Sequence, residues 1–300
     1  MTTYDELSPQ SVNIQTIDAL WLPASVSLDV LRLDRLHTVV SGNKWYKLKY
    51  YLANAIQIGA NTLATFGGAY SNHIVATAYA CRMAGIKCVG FIRGGEAGNL
   101  THTLKAAAAY GMQLEYVSRS EYRDKEAIKI LLPGFSWINE GGYGATGAEG
   151  AAEIVSLVPN RENYTHIVAA VGTGTMLAGL VRSALPHQQV IGISSMKGNL
   201  ELETSVAALL EPGAAKNFHI NHDYHFGGYG STPPELISYI TECWHNYGVP
   251  LDIVYTSKAF YGLQDMMEKS LFAPGSKVLF IHSGGLQGNL SLPAGTLPFS

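Results

Sequence analysis

Thr62-Leu63-Ala64-Thr65-Phe66-Gly67-Gly68-Ala69-Tyr70-Ser71-Asn72-His73 reads as an apolar strand, a glycine turn and the start of a helix. A short apolar, β-branched run closed by glycines suits a buried strand. Asn72 to Met83 follows as a helix that Gly85 is placed to cap. Ile86 to Ile92 then reads as a strand, Asn99 to Tyr110 as a helix capped by Gly111, and Met112 to Val117 as a further strand. Strands alternating with helices in this way predict parallel sheets wound through βαβ units.

The alternation extends in both directions. Upstream, Trp45, Leu48, Leu52 and Ala55 share one face of a helix that Gly59 can end. Downstream, Glu121 to Leu132 suits a helix and Phe135 to Asn139 a short strand. Gly141-Gly142-Tyr143-Gly144-Ala145-Thr146-Gly147 then breaks the rhythm and reads as a crossing between domains. Beyond it come a helix near Ala148 to Leu157, a strand at His166 to Val171, a helix at Thr175 to Leu185 and a strand at Val190 to Ser194. Pro234 to Tyr247 and Lys258 to Leu271 read as helices, Ile253-Val254-Tyr255 and Lys277 to His282 as strands. The expected fold is α/β with two lobes, each an open, mostly parallel sheet flanked by helices. A large domain of residues 1–48 and 141–300 would carry a small inserted domain of residues 49–140. Such sheets bind ligands at the carboxyl ends of their strands, so the cleft between lobes is the expected site.

With 300 residues, 47% hydrophobic and 14% charged, the chain can bury a large core or two joined ones. A formal net charge of -3 with no lysine or arginine block excludes nucleic acid and membrane surfaces as natural partners. Met1 to Glu6 is polar and acidic, unlike a signal peptide, which predicts a cytoplasmic protein. Ile167 to Val181 carries no charge but is too short for a bilayer span and is interrupted by Gly172 to Thr175. Cys81, Cys88 and Cys243 form no C-x-x-C pair and read as small buried residues. His219, His222 and His225 with Asp223 have ligand-like spacing but no second ligand group, so a solvated strand or loop is expected and no metal.

Three segments carry chemistry. In Ser41-Gly42-Asn43-Lys44-Trp45-Tyr46-Lys47-Leu48, an amine at a glycine-approached helix start can condense with a carbonyl cofactor. Lys47 lies one turn on, so chemistry alone does not choose between them, and each could be an ordinary surface lysine. Val171-Gly172-Thr173-Gly174-Thr175-Met176 is a strand-to-helix turn able to present N–H groups to an anion. It is no dinucleotide fingerprint: Leu177 stands where the third glycine belongs, and the next strand ends Gly192-Ile193-Ser194-Ser195-Met196-Lys197 without an acid. Nor does Gly-Lys-Ser/Thr follow, as a P-loop requires. A single monophosphate held by N–H groups and the Thr173 and Thr175 hydroxyls remains, beside the alternative of a tight structural turn. Ser71 or Asn72 can likewise merely cap the next helix, or with His73 can receive the α-carboxylate of an amino acid. One lysine and two anion cradles describe a site for pyridoxal 5'-phosphate and a small amino-acid substrate.

Seven ordered stretches strengthen this. Ser41-Gly42-Asn43-Lys44, Tyr70-Ser71-Asn72-His73, Gly141-Gly142, Thr173-Gly174-Thr175, His225-Phe226-Gly227-Gly228-Tyr229, Tyr255-Thr256-Ser257-Lys258 and His282-Ser283-Gly284-Gly285 span most of the chain. Together they resemble the pyridoxal-phosphate enzymes of the tryptophan synthase β-like fold type (fold type II), in particular the aminocyclopropane-carboxylate deaminase and D-cysteine desulfhydrase group. The resemblance implies that Lys44 bears the cofactor, that Lys47 lies close to its phosphate together with Thr173, Gly174, Thr175 and Met176, and that Asn72 contacts its phenolic oxygen. It further implies Ser71 near the substrate carboxylate and Cα, Tyr229 and Tyr255 facing the substrate, Thr256 beside the pyridine nitrogen, and a homodimer. Two departures stand out: Leu31-Arg32-Leu33-Asp34-Arg35-Leu36-His37 keeps one acid where the family often has two, and Trp45-Tyr46-Lys47 replaces residue-Arg-Lys.

Deaminases of this family resemble one another in a Glu after the second tyrosine and a Leu in the His-x-Gly-Gly turn, where this chain has Thr256 and Ser283. A carboxylate at the pyridine nitrogen deepens the electron sink; a hydroxyl gives a weaker one that still serves β-elimination. The expected activity is therefore D-cysteine desulfhydrase, giving pyruvate, sulfide and ammonia, with the Lys44 amine as base. The alternatives are 1-aminocyclopropane-1-carboxylate deaminase, giving 2-oxobutyrate and ammonia, and a catalytically silent cofactor-binding regulatory protein.

Overall fold

A computed structural model describes residues 11–95, 100–213 and 217–300; the acidic Met1–Glu6 segment and Asn99, the expected start of one helix, lie outside the described residues. The strands are β1 Ile14–Ile17, β2 Ser27–Arg32, β3 Thr62–Gly67, β4 Lys87–Arg93, β5 Met112–Val117, β6 Ser136–Ile138, β7 His166–Val171, β8 Gln189–Ser194, β9 Phe218–Asn221 and β10 Lys277–His282. The helices are α1 Asn43–Gln57, α2 Asn72–Ala84, α3 His102–Ala109, α4 Lys125–Leu131, α5 Ala145–Ala152, α6 Thr175–Ser183, α7 Leu202–Ala207, α8 Pro234–Tyr247 and α9 Thr256–Glu268. Two sheets form, one in the order β1-β2-β10-β7-β8-β9 and one in the order β5-β4-β3-β6. Every pairing is parallel except that of β1 with β2.

Parallel strands covered by helices on both faces need apolar side chains on both. In β10, Val278 and Phe280 pack into a core with Ile240, Phe260 and Leu263 of α8 and α9, while Leu279 and Ile281 pack with Ala148, Ala151 and Leu177 of α5 and α6. The smaller sheet repeats the arrangement. Leu63 and Ile92 meet Leu48, Leu52 and Ile74 on one side, and Phe66 and Phe91 meet Tyr122 and Trp137 on the other. Helix α1 joins the two: Tyr46 belongs to the core of the larger sheet, Leu48, Leu52 and Ala55 to that of the smaller one. All strands of the smaller sheet fall within residues 62–138, and the expected boundary at residue 48 lies inside α1.

Small residues let α1, α5 and α6 approach at backbone distance. A Cβ on Gly150 would lie 1.8 Å from the Tyr46 carbonyl oxygen, and one on Gly179 would lie 2.6 Å from the Ala151 Cβ and 2.7 Å from the Ala148 carbonyl.

Several expectations need correction. Ile253-Val254-Tyr255 is no strand but a turn, because Asp252 takes its N–H groups away from any ladder: Oδ2 accepts from Val254 at 2.9 Å and Tyr255 at 3.0 Å. Helix α9 consequently begins earlier than expected, at Thr256, and ends at Glu268. Glu121 to Leu132 is split into a 3-10 turn at Glu121–Arg123 and α4, since the Asp124 carboxylate caps Ala127 N and restarts the helix. The helix expected from Ala148 begins at Ala145 and tightens to 3-10 over Glu153–Leu157. β1, β2 and α7 lie where no element is expected, and β9 takes up the strand alternative at His219. Gly85 does adopt the left-handed cap conformation, with φ 68°.

Gly150→Ala and Gly179→Ala should each lower stability by about 1–3 kcal/mol through overpacking. Gly134→Ala, at a position with open space and no positive φ, should be close to neutral; urea melts of the three variants provide the check.

Candidate active site

The site begins where α1 meets the end of β10. Gly42 has φ 62°, and a Cβ there would lie 1.9 Å from the Ser283 carbonyl oxygen, so only glycine fits. Asn43 N donates to that same oxygen at 3.1 Å, and a Cβ on Gly284 would meet Ser41 Oγ at 2.7 Å. Ser41-Gly42-Asn43 and Ser283-Gly284 are thus interlocked backbones. Behind them Arg32 forks onto Asp34, Nε to Oδ1 at 2.9 Å and NH2 to Oδ2 at 2.7 Å, with side chains only 3% and 4% exposed. His282 lies over the pair: its Nε2 is 2.5 Å from the Pro250 carbonyl, and its Nδ1 is 3.3 Å from Gly284 N and 3.4 Å from Asp34 Oδ1. Burial pushes the Asp34 carboxyl up, but His282 and Arg32 outweigh it and hold the group below its ordinary value of 3.8. The single acid retained in this stretch therefore braces the turn that seats Gly42.

Lys44 and Lys47 project from the first turns of α1. Neither has a carboxylate in ion-pair contact among the described residues. Lys44 Nζ donates to Asn43 Oδ1 at 2.8 Å. Burial lowers its pKa to about 8, with Asp252 opposing. Lys47 is buried, not a surface lysine, and its Nζ donates to the Gly141 carbonyl at 3.3 Å. Burial, and after it the charge of Lys44, pulls the Lys47 amine well below the ordinary lysine value. Lys47 buried and Lys44 half-buried, both desolvated and without an ion-pair partner among the described residues, are amines whose cost an anion would relieve.

The turn expected to cradle an anion is the start of α6. Gly174 takes the left-handed conformation that starts α6, with no side chain capping the helix. The Thr173 and Thr175 hydroxyls lie 3.2 Å apart, and a Cβ on Gly141 would sit 2.7 Å from Thr173 Cγ2. The glycine crossing therefore does more than join lobes: it meets Lys47 on one side and Thr173 on the other. Asn43 Nδ2 contacts the Met176 sulfur at 3.3 Å, fixing that turn to Lys44 as well.

Across the cleft, Ser71 occupies the cap position of α2, yet its side chain makes no capping hydrogen bond. Capping thus leaves the hydroxyl and the first N–H groups of the helix uncommitted. Asn72 Nδ2 donates to the Gly285 carbonyl at 3.2 Å, while its Oδ1 is buried without a partner. Thr65 Oγ1 donates to the Ile138 carbonyl at 2.9 Å and so must accept from His73 Nε2 at 2.8 Å, which leaves Nδ1 an unpaired buried acceptor. Burial, then Lys44 and Lys47, lowers the His73 pKa to about 3, so the ring is neutral.

The fourth side is built by residues around Asp252, which the sequence reading passed over. Its Oδ1 accepts from Thr256 N and from Thr256 Oγ1, both at 2.7 Å. Tyr255 lies against Gly172, whose added Cβ would be 3.0 Å from the ring, and meets Tyr229 edge to face with centroids 5.7 Å apart. Burial raises the Tyr255 phenol well above its ordinary value, so it stays a donor. Lys258 is fully buried and donates to the His225 and Gly228 carbonyls at 3.1 and 2.6 Å, tying down the loop that carries Tyr229. Asp252 and Lys258 could have been noticed as charges inside apolar runs.

The three histidines of the tail disperse. His222 Nε2 is 2.7 Å from Glu203 Oε1, His219 lies beside Gln189, and His225 Nδ1 accepts from Gly227 N at 2.9 Å. His219 is in β9. The three cysteines are buried and unpaired. No helix among the described residues is long and apolar enough to cross a membrane.

An aldehyde-bearing phosphate monoester fits these groups: a desolvated amine of lowered pKa, a second, buried amine, an uncapped helix start at α6, and an orphaned Asn72 oxygen at the start of α2. Comparison with known proteins agrees. Residues 26–284 match the family described as "Pyridoxal-phosphate dependent enzyme". The chain is 33% identical, over 94% of its length and 96% of the relative's, to a Thermotoga maritima protein named provisionally as a 1-aminocyclopropane-1-carboxylate deaminase. It is 30% identical to a Salmonella typhi D-cysteine desulfhydrase, over 85% and 86% of the two chains. The crystal structure of an ACC deaminase homologue superposes with a TM-score of 0.78 at 26% identity, covering 94% and 92%.

Borohydride trapping of an aldehyde on Lys44, quantified by peptide mass, should rise as pH climbs through about 8, where the amine loses its proton. A midpoint near the ordinary 10.5 would refute the desolvated site. Arg32→Met, which strands the Asp34 carboxylate, should destabilise by about 3–5 kcal/mol in urea melts. The Asp34 pKa is depressed on folding, so its contribution is fully present above the unfolded value of 3.8 and fades as pH falls through the folded one.

Proposed function

The chain belongs to the pyridoxal-phosphate-dependent enzymes, in the group of 1-aminocyclopropane-1-carboxylate deaminases and D-cysteine desulfhydrases, and from that membership we propose that it is a D-cysteine desulfhydrase. D-Cysteine and water would yield pyruvate, ammonia and hydrogen sulfide. When bound, pyridoxal phosphate supplies an electron sink that acidifies the Cα–H of the attached amino acid. The Lys44 amine, desolvated to a pKa of about 8, is poised to accept that proton near neutral pH. Thr173, Gly174, Thr175 and Met176 with Lys47 hold the phosphate, and Asn72 holds the ring hydroxyl. Ser71 and the N–H groups of Asn72 and His73 orient the substrate carboxylate, while Tyr229 and Tyr255 line the side from which the leaving thiolate departs.

The observation that carries the choice is the residue directly after Tyr255, a hydroxyl rather than a carboxylate. A carboxylate there would give the deeper sink that opening a ring without an α-hydrogen requires; elimination of a good leaving group needs less. Ser283 in the His282-Ser283-Gly284-Gly285 turn supports the same reading. Relatives named as 1-aminocyclopropane-1-carboxylate deaminases favour the second reading, release of 2-oxobutyrate from that substrate.

Purified holoenzyme given D-cysteine should form pyruvate and sulfide, and given 1-aminocyclopropane-1-carboxylate should form no 2-oxobutyrate. The reverse pattern would establish the second reading, and inertness toward a panel of amino acids would leave a silent cofactor-binding protein. Lys44→Ala should lose both turnover and the visible band of the lysine-linked cofactor. Lys47→Ala should keep the band but weaken cofactor affinity roughly ten- to a hundredfold, the worth of a hydrogen bond to a charged group.

A further inference from the structure

Resting on that reading, we propose that Asp252 turns the Thr256 hydroxyl into an obligate hydrogen-bond acceptor toward the cofactor's pyridine nitrogen, so that the nitrogen keeps its proton. A hydroxyl has one proton and two lone pairs. The proton of Thr256 is committed to Asp252 Oδ1 at 2.7 Å, and one lone pair accepts from Asp252 N at 2.8 Å. What remains is a single lone pair. It can receive an N–H but can offer nothing to a bare pyridine nitrogen, whose own lone pair it would oppose.

The arrangement is locked. Asp252 is wholly buried and accepts four hydrogen bonds, from Val254 N, Tyr255 N, Thr256 N and Thr256 Oγ1. Its neighbours are pinned by Asn289, whose Oδ1 accepts from Ile253 N at 3.0 Å and whose Nδ2 donates to the Leu251 carbonyl at 3.1 Å. Turning the threonine hydroxyl outward would break its 2.7 Å bond to the Asp252 carboxylate. Lys44, Lys258, Tyr229 and Tyr255 are the titratable groups that sense the Asp252 charge. Neither lysine is in ion-pair contact with it, and Lys258 is held by the His225 and Gly228 carbonyls. Toward the pyridine nitrogen, the Asp252 charge therefore acts through Thr256. The resulting sink is stronger than a lone hydroxyl would give and weaker than a carboxylate in direct contact, which suits elimination.

The test reads the resting holoenzyme, without turnover. Enzyme loaded with pyridoxal phosphate isotope-labelled at the ring nitrogen is titrated by NMR, alongside Thr256→Ser, Thr256→Val and Asp252→Asn. The wild type and Thr256→Ser should show a protonated ring nitrogen at neutral pH. Thr256→Val and Asp252→Asn should lower its proton affinity by about tenfold, one pKa unit; should Asp252→Asn fail to fold, Thr256→Val decides. An unprotonated nitrogen in wild-type enzyme that carries the cofactor on Lys44, or a Thr256→Val titration matching the wild type, would overturn the proposal. Wild-type protein that takes no cofactor on Lys44 would instead sink the reading on which it rests.

Discussion

The contact between Gly42 and the Ser283 carbonyl governs the whole site. Two backbones meet there at a distance that leaves no volume for a side chain, and the meeting point is also the start of α1. Because the helix can begin only at that point, the directions of Lys44 and Lys47 are set before any side-chain contact is made. The buried Arg32–Asp34 pair and His282 stand behind the junction. The larger sheet thus hands its geometry to the lysines through one strand end.

The electrostatics of the cleft follow from what has been left unpaired. Folded proteins rarely bury an amine without an acid or an amide oxygen without a donor. Here, among the described residues, Lys44 and Lys47 at the start of α1 have no carboxylate in ion-pair contact, and Asn72 Oδ1 and His73 Nδ1 at the start of α2 have no donor. Such a cluster stores unfavourable desolvation that a ligand of complementary charge can relieve, so binding energy and pKa tuning share an origin.

The parts of the fold readable from sequence were those whose causes are local. The alternation from Thr62 to Val117 is a matter of apolar period and glycine placement, and the elements lie within a few residues of where that pattern puts them. β2 was not legible because Ser27-Leu28-Asp29-Val30-Leu31-Arg32 carries an acid and a base at strand positions. Their partners, Tyr164 for Asp29 and Asp34 with Gln15 for Arg32, are assembled only by the fold. Asp252 was hidden for a related reason: Ile253-Val254-Tyr255 has strand composition, and only knowing where their N–H groups go reveals a turn. Motif order singled out Lys44, the two glycine turns and the Tyr255–Lys258 stretch; Asp252 works through other residues and left no spacing to read.

Helix α9 begins with Thr256, whose hydroxyl is set by Asp252, and two residues on places Lys258 under the loop bearing Tyr229. The proposed determinant of cofactor electronics and the support of the loop bearing Tyr229 are therefore half a helical turn apart on one rigid element. Substitutions that retune one will move the other, so their effects will be non-additive. A lineage or a library exploring new leaving groups on this scaffold has to change the two together, which makes the start of α9 the place where reaction type and substrate choice are inherited as a unit.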